Sequence, residues 1–533
     1  MKLKTILTLL LVAVGISAQA QYKKVVEKPY TRFANTTTIE IDKVTLSDTE
    51  TVLDINAFFR PGNWIRIVSD TYLLANGKKY IVRGSEGIDL DSQFWMPESG
   101  EASFKLTFEP LPKTTHTFDF IESDCNDCFK IYGIDLENKY KEKPIKTTLI
   151  GKVNNRPQSK RLLLAKAGAD LRLNHHETMR IDTSGNFQHT LYADEMEAYM
   201  LIFDEEYGNS WQIEVFFPDA DTISINLNPM HERIKNRVEG GKINKDYQNY
   251  ISSGLKVSNE YERERKRLIN IGSYYTKEYA ELINKYNTET NQEKKDSLGK
   301  ISYNLFDSGN YLSSQGLKLE AEFEEKFKKN GDYAMEWISK NGTLAGYYAL
   351  ISWLNVKSDR PELIDAYYNV YAKKFPKHPF TLQVKDLIKG IELSVGRKFI
   401  DFTAPDGEGI NHTLSELIDG KVAMINLWAS WCAPCRIHSM ELIPVFEKYK
   451  DRGFTVVGIA REYDKRNMNS AITKDGYPWL NLLELNDSQN IWAKYGAPGA
   501  GGRLILVNKN GVILALDPPI EETIKIVEKE LSK

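Results

Sequence analysis

The stretch Lys421-Val-Ala-Met-Ile-Asn-Leu-Trp-Ala-Ser-Trp-Cys-Ala-Pro-Cys-Arg436 decides the reading of this chain. Its first half, KVAMINLW (421–428), is an apolar run interrupted only by Asn426, the pattern of a strand buried on both faces. A helical stretch from about 433 to 449 follows, so Cys432 and Cys435 stand where a buried strand hands over to a helix. A spacing of three brings the two sulfurs within bonding reach across the first helical turn. The unpaired N–H groups and positive partial charge at a helix start favour a thiolate at Cys432. A lowered thiol pKa makes a nucleophile near neutral pH. Pro434 sits in the first turn, where its missing N–H costs nothing. Cys435, one turn in, is placed to act second, resolving a mixed disulfide formed on Cys432. A purely structural bridge, half of a zinc site and peroxidase chemistry are the competing readings. Local C-x-x-C bridges at such junctions are mostly redox-active, no second ligand pair lies nearby, and Asn426–Ser430 offers no peroxidase setting.

Working outward, FTVVGIA (454–460) reads as a second buried strand. RLILVNKNGVILAL (503–516) reads as a hairpin around Asn508–Gly511, and ETIKIVEKELSK as a closing amphipathic helix. Residues 394–533 are therefore a small α/β domain with helices on both sheet faces. Residues 231–393 carry helical periodicity, as in Tyr275, Tyr279, Leu282, Ile283 and Tyr286, and five or six helices are expected there. Their tyrosines are read as packing helix faces rather than as a binding stripe. Residues 21–139 and 140–230 alternate with period two and read as two antiparallel β-domains, the first sandwich-like. In the first, Phe104/Leu106/Phe108 mark a buried face and Asn76-Gly77 a hairpin turn. In the second, Trp211/Ile213/Val215 are strand-like and Asp182–Gly185 resembles a hairpin tip.

Length and composition agree with several domains. The chain has 533 residues, 41% hydrophobic and 27% charged, which describes folded globular protein. Lys+Arg 70 against Asp+Glu 73 gives a net charge of −3, without the basic surplus of a general nucleic-acid binder. MKLKTILTLLLVAVGISAQA (1–20) has a positive start, an apolar core and Ala18-Gln19-Ala20, and reads as a cleavable secretory signal. Beyond it no apolar run is long enough to anchor the chain in a membrane. Losing Lys2 and Lys4 takes the charge from −3 to −5, and export places the chain where disulfides persist.

The run NLWASWCAPCR resembles the thioredoxin superfamily, specifically the TlpA/ResA-like thiol–disulfide oxidoreductases. Gly396-x-x-Phe399-x-Asp401-Phe402, Leu414-Ser415-Glu416-Leu417 before Gly420-Lys421, and LVNKNG support the resemblance, which covers residues 394–533. The whole layout is similar, more loosely, to multidomain TlpA-like proteins of Bacteroidetes-type bacteria. The resemblance implies a thioredoxin fold over 394–533 and thiol–disulfide exchange with protein substrates in the periplasm or cell envelope. No cofactor and no metal are expected, and reduction in an oxidising compartment requires an upstream electron donor, a membrane thiol carrier. Cys432 and Cys435 are then the catalytic pair, with Trp431, Ala433, Pro434 and Asn426 as supporting residues. Departures are informative. The proline that faces the cysteines in the family falls, by register from Gly511, at Gly501 or Gly502. His438 stands where Glu is frequent, and Met440 replaces a kink-forming proline that reappears as Pro444. Asn426 occupies the place of thioredoxin's buried Asp, so proton handling must fall to water or to another side chain, with His438 and Glu441 as candidates.

A second pair, Cys125-Asn126-Asp127-Cys128, lies in a turn between two strands with no helix start behind it. A structural disulfide, an auxiliary redox pair and free thiols are all open for it. His175-His176-Glu177 invites a metal reading, but adjacent histidines on a strand point to opposite faces and chelate poorly. The alternative function is a peptide- or glycan-binding envelope protein with an accessory redox domain.

Overall fold

The computed structural model describes residues 22–125, 128–209, 213–356, 360–499 and 501–533. The signal segment, Trp211, Asn126 and Asp127 lie outside the described residues. The chain divides into two compact units, Met1–Lys141 and Glu142–Lys533.

The first unit is a nine-stranded antiparallel ladder running from Lys23–Glu27 at one edge to Thr31–Ala34 at the other. One core takes Val26 and Leu53 from one end and Phe120 and Ile134 from the other, so the ladder folds over on itself. Phe104, Leu106 and Phe108 are buried in it, as their alternation requires. Asn76 and Gly77 both take positive φ and close the tight hairpin between Tyr72–Ala75 and Lys78–Glu86, the geometry that Asn-Gly supplies without strain.

The second unit opens with two four-stranded sheets. Leu149, Phe187 and Ile223 of one pack against Leu162, Leu201 and Phe216 of the other. The first of these sheets is not wholly antiparallel: Ile145–Val153 pairs in parallel with Thr222–Leu227. The reason is connectivity, because the strands of the second sheet lie between them in sequence and supply the crossover. Asp182–Gly185 is likewise no hairpin tip. The strand before it, Glu177–Arg180, pairs with Arg161–Lys166 in one sheet, and the strand after it, Asn186–Ala193, pairs with Ile145–Val153 in the other.

Leu162–Ala165 and Tyr199–Phe203 are apolar at consecutive positions because their sheet is buried on both faces. Leu163, Ala165, Met200, Ile202, Val215 and Phe217 meet the helices in a core shared with Tyr347, Leu350, Val384 and Ile388. One core thus crosses residue 230. Counting the continuous run from Pro361 to Lys374 as one, the described residues form seven helical segments between Lys242 and Glu392, against the five or six that the sequence led us to expect. The helix Pro379–Glu392 ties this core to the C-terminal domain. Gly390 sits so close to Ala493 that a Cβ would lie 2.2 Å from its carbonyl oxygen.

The C-terminal sheet runs Asn481–Leu485, Phe454–Glu462, Val422–Trp428, Arg503–Val507, Ile513–Leu516. The first three strands are parallel and the last two antiparallel. Every residue of Val422–Trp428 is buried. Ala423, Ile425 and Leu427 enter one core with Trp492 and Tyr495, while Val422, Met424 and Trp428 enter the opposite one with Leu442 and Val445. The central strand therefore ends at a fixed place beneath the helix Ala433–Tyr449, with the two cysteines at the junction.

Candidate functional site

Cys432 is the N-cap of the helix Ala433–Tyr449, and its Sγ accepts the backbone N–H of Cys435 at 3.3 Å. A sulfur there uses a donor that the helix cannot otherwise satisfy, and the same N–H would stabilise a thiolate. The structure holds Cys432 and Cys435 as a disulfide. Ala433 and Pro434 are exposed, while both cysteines are half-buried, so the bond is reached across the tip of the helix.

Asn426 is buried on the central strand. Its Nδ2 donates to Ser439 Oγ at 2.8 Å, and Ser439 Oγ donates to the Cys435 carbonyl at 2.9 Å. Asn426 thus holds the first turn of the helix through Ser439 and supplies no ionisable group.

Gly501 and Gly502 lie against the disulfide. A Cβ at Gly501 would be 2.5 Å from Cys432 Sγ, and one at Gly502 would be 2.8 Å from Cys435 Sγ and 2.2 Å from the Leu427 carbonyl oxygen. The absence of side chains is what lets this backbone approach the sulfurs. Trp492 Nε1 donates to the Gly501 carbonyl and fixes the segment from below. A cleft of about 700 Å³ opens beside the pair, between Pro434 and His438 on the helix, Gly501–Arg503, and Pro519-Ile520 at the start of the last helix. Its charged rim carries Glu441, Asp517 and Glu521, with Arg503 paired to Asp517 at 3.2 Å. His438 and Glu441, considered above for proton handling, both face this cleft and are solvent-exposed.

Three features escaped the sequence reading. Glu462, fully buried at the end of its strand, accepts Ser430 N–H at 2.6 Å and Ser430 Oγ–H at 2.9 Å. Burial pushes its carboxyl up to about 7, against the pull of the two Ser430 bonds. Arg436 forms a bidentate pair with Asp475 and donates to the Ser430 carbonyl. Arg172, far away in sequence, stacks its guanidinium 3.9 Å from the centre of the Trp431 ring. The only local signal for Glu462 was a carboxylate ending an apolar strand; nothing local marked Arg172.

Cys125 and Cys128 also form a disulfide, in the turn between Thr117–Ile121 and Lys130–Asp135. Among the described residues no helix begins there. Glu177 is met by His189 at 2.7 Å and by His175 at 3.8 Å, while His176 is buried. Among the described residues no group of three or more His, Cys, Asp or Glu could hold a metal ion. Nor is any described helix long and apolar enough to cross a membrane.

Comparison with known proteins bears on the C-terminal domain. The Redoxin family model matches residues 394–531. The thiol:disulfide interchange protein DsbE of Allochromatium vinosum is 28% identical over 116 residues, 21% of this chain and 60% of that protein. The thiol-disulfide oxidoreductase ResA of Bacillus thuringiensis is 23% identical over 123 residues, 23% of this chain and 69% of that protein. The chain thus spans 60%, 65% and 69% of the length of three such curated relatives, less than two thirds for the first two figures. The crystal structure of the thioredoxin domain of a thiol-disulfide oxidoreductase from Bacteroides vulgatus is 26% identical, covering 26% of this chain and 98% of that one, with a TM-score of 0.24. The chain carries at its C-terminus a Redoxin domain related to the DsbE and ResA thiol–disulfide oxidoreductases.

Proposed function

We propose that the chain is an exported thiol–disulfide oxidoreductase that reduces disulfides of protein substrates in the periplasm or cell envelope. The observation that carries this reading is Cys432 Sγ at the helix N-terminus, accepting the Cys435 N–H beside a side-chain-free backbone and an open cleft. In the reduced protein the Cys432 thiolate attacks one sulfur of a substrate disulfide. The substrate S–S bond breaks, one substrate sulfur leaves as a thiolate, and a mixed disulfide forms on Cys432. Cys435 then attacks Cys432 Sγ, releasing the second substrate thiol and leaving the Cys432–Cys435 disulfide seen here. Two electrons have passed to the substrate. An external dithiol, which the family relation suggests is a membrane thiol carrier, returns them.

The Gly501-Gly502 backbone offers an extended substrate strand a surface within van der Waals reach of the sulfurs, and Trp431, Ala433 and Pro434 shape the tip. Trapping tests the reading. Cys435→Ser should accumulate mixed disulfides on Cys432 that mass spectrometry identifies, and the parent protein should reduce insulin with dithiothreitol as donor. Absence of both would overturn it.

A further inference from the structure

The redox domain does not present its active turn unaccompanied. The segment after the strand Arg161–Lys166, in the sheet region that precedes the helices, reaches the residue next to the nucleophile. Leu171 and Leu173 are buried, and Leu171 belongs to the core shared with the helices, so the turn is anchored by its apolar side chains. Arg172, between them, points out of that core. The Asp170 carbonyl accepts the N–H groups of Leu173 and Asn174, which closes the turn. The Asp170 carboxylate takes Arg172 Nε at 2.9 Å and Arg172 Nη2 at 2.7 Å, a two-point grip that sets the guanidinium plane. The guanidinium carbon lies over the Trp431 ring, 3.9 Å from its centre. The same Asp170 Oδ2 that accepts Arg172 Nη2 lies 3.9 Å from Arg461 Nη1, and Arg461 is itself held bidentately by Asp487. Arg461 precedes Glu462, the residue that holds Ser430. Ser430 and Trp431, the two residues leading into Cys432, are thus gripped from both sides, one by a strand of their own domain and the other by a turn from elsewhere in the chain.

We propose that Arg172 is a positioning residue of the redox site, acting through Trp431 to fix the turn that presents Cys432. The proposal rests on the oxidoreductase reading above and deepens it, by assigning part of the site to the region upstream of the redox domain. A planar, permanently charged side chain suits this role, since it stacks on an aromatic face while keeping its bonds to a carboxylate. The indole so covered is closed to substrate on that face, which leaves the cleft side, at Pro434 and Gly501-Gly502, as the docking side.

A double-mutant cycle in the full chain tests it, with kcat and KM for insulin reduction measured separately. Arg172→Ala is expected to lower kcat about five-fold with KM changed less than about two-fold, since it disturbs presentation of the sulfur rather than the docking surface. In a Trp431→Ala background the same substitution should cost less than about 1.5-fold, because the group through which it acts is gone. Arg172→Lys, which keeps the charge but not the plane, should fall between parent and Arg172→Ala. Additive effects in the cycle, or an Arg172→Ala protein with unaltered kcat, would overturn the proposal. If Arg172→Ala does not fold, the cycle is run with Arg172→Lys under the same criteria. Cys432→Ser run alongside separates the two claims. Should Cys432→Ser retain activity, the oxidoreductase reading fails; should it be dead while Arg172 is indifferent, only the role of Arg172 fails.

Discussion

Two C-x-x-C disulfides stand in this chain at the same spacing and in opposite settings. Cys432–Cys435 begins a long helix, with Cys432 Sγ accepting a helix N–H and glycine backbone pressed against both sulfurs. Cys125–Cys128 spans a turn in an antiparallel hairpin, where Phe120 pairs with Ile131 and Ile121 with Lys130. The Cys128 carbonyl is tied down by Asn35 Nδ2, and Cys125 is exposed. The two pairs share their spacing and differ in the backbone behind them, a helix N-terminus in one and two hydrogen-bonded strands in the other, and it is a helix N-terminus that lowers a thiol pKa. The sharpest break of this comparison is by substitution. Cys432→Ser should lower insulin reduction by about a thousand-fold or more, the loss of a covalent nucleophile. Cys125→Ser/Cys128→Ser should leave the rate within about two-fold. Equal losses would mean that the hairpin pair relays electrons.

The hairpin pair should announce itself in stability instead. Closing so short a loop restrains the unfolded chain by about 2 kcal/mol. Cys125→Ser/Cys128→Ser should therefore destabilise the first unit by that amount in a urea titration. A third experiment, with a smaller effect, concerns the glycine platform beside the C-terminal pair. A methyl at Gly501 must displace Cys432 Sγ or the backbone that faces it. Overpacking of this kind costs about 1–3 kcal/mol, and Gly501→Ala should lower kcat/KM for insulin about ten-fold while far-UV circular dichroism stays unchanged. An unaltered kcat/KM would show that this backbone yields freely and does not shape the site.

Much of the C-terminal domain was legible because its signals are local. KVAMINLW is apolar on both faces, the helix follows at once, and Asn508–Gly511 closes the last hairpin. The edge strand Asn481–Leu485 was missed although Asp475-Gly476 precedes it and Asn486-Asp487 follows it, since it is only five residues long and its apolar positions do not alternate. The parallel pairing of Ile145–Val153 with Thr222–Leu227 was illegible for a different reason. Alternation reports which face is buried and carries no information on strand direction. In the site, the family resemblance supplied a backbone position facing the cysteines, and the register from Gly511 located it at Gly501 or Gly502, where the structure has them. Arg172 and Glu462 act across long separations, and their partners, Trp431 and Ser430, carry no mark of them in the sequence.

The comparison extends to a buried carboxylate beside each disulfide. Glu462 accepts Ser430 N–H two residues before Cys432, and Glu122 accepts Phe129 N–H one residue after Cys128. Burial raises both carboxyls above the ordinary value of 4.5, Glu462 to about 7. For such a group the unfolded chain ionises first. The stability it contributes is complete below pH 4.5, declines as pH rises toward 7, and stays at its lower level above that. Glu484, also raised to about 7 by burial, adds a second share in the same domain. Glu462→Gln should therefore remove only part of the fall in melting temperature of the redox domain between pH 5 and pH 8. The two carboxylates part company in the chemistry. Ionising Glu462 places a negative charge under the turn that presents Cys432, and a negative charge there opposes the thiolate. In the parent protein, iodoacetamide alkylation of reduced Cys432 should rise with pH less steeply through 7 than in Glu462→Gln, whereas Glu122→Gln should leave that profile unchanged. Superimposable profiles for the parent and Glu462→Gln would reduce Glu462 to a structural brace, the same part that Glu122 plays in its hairpin.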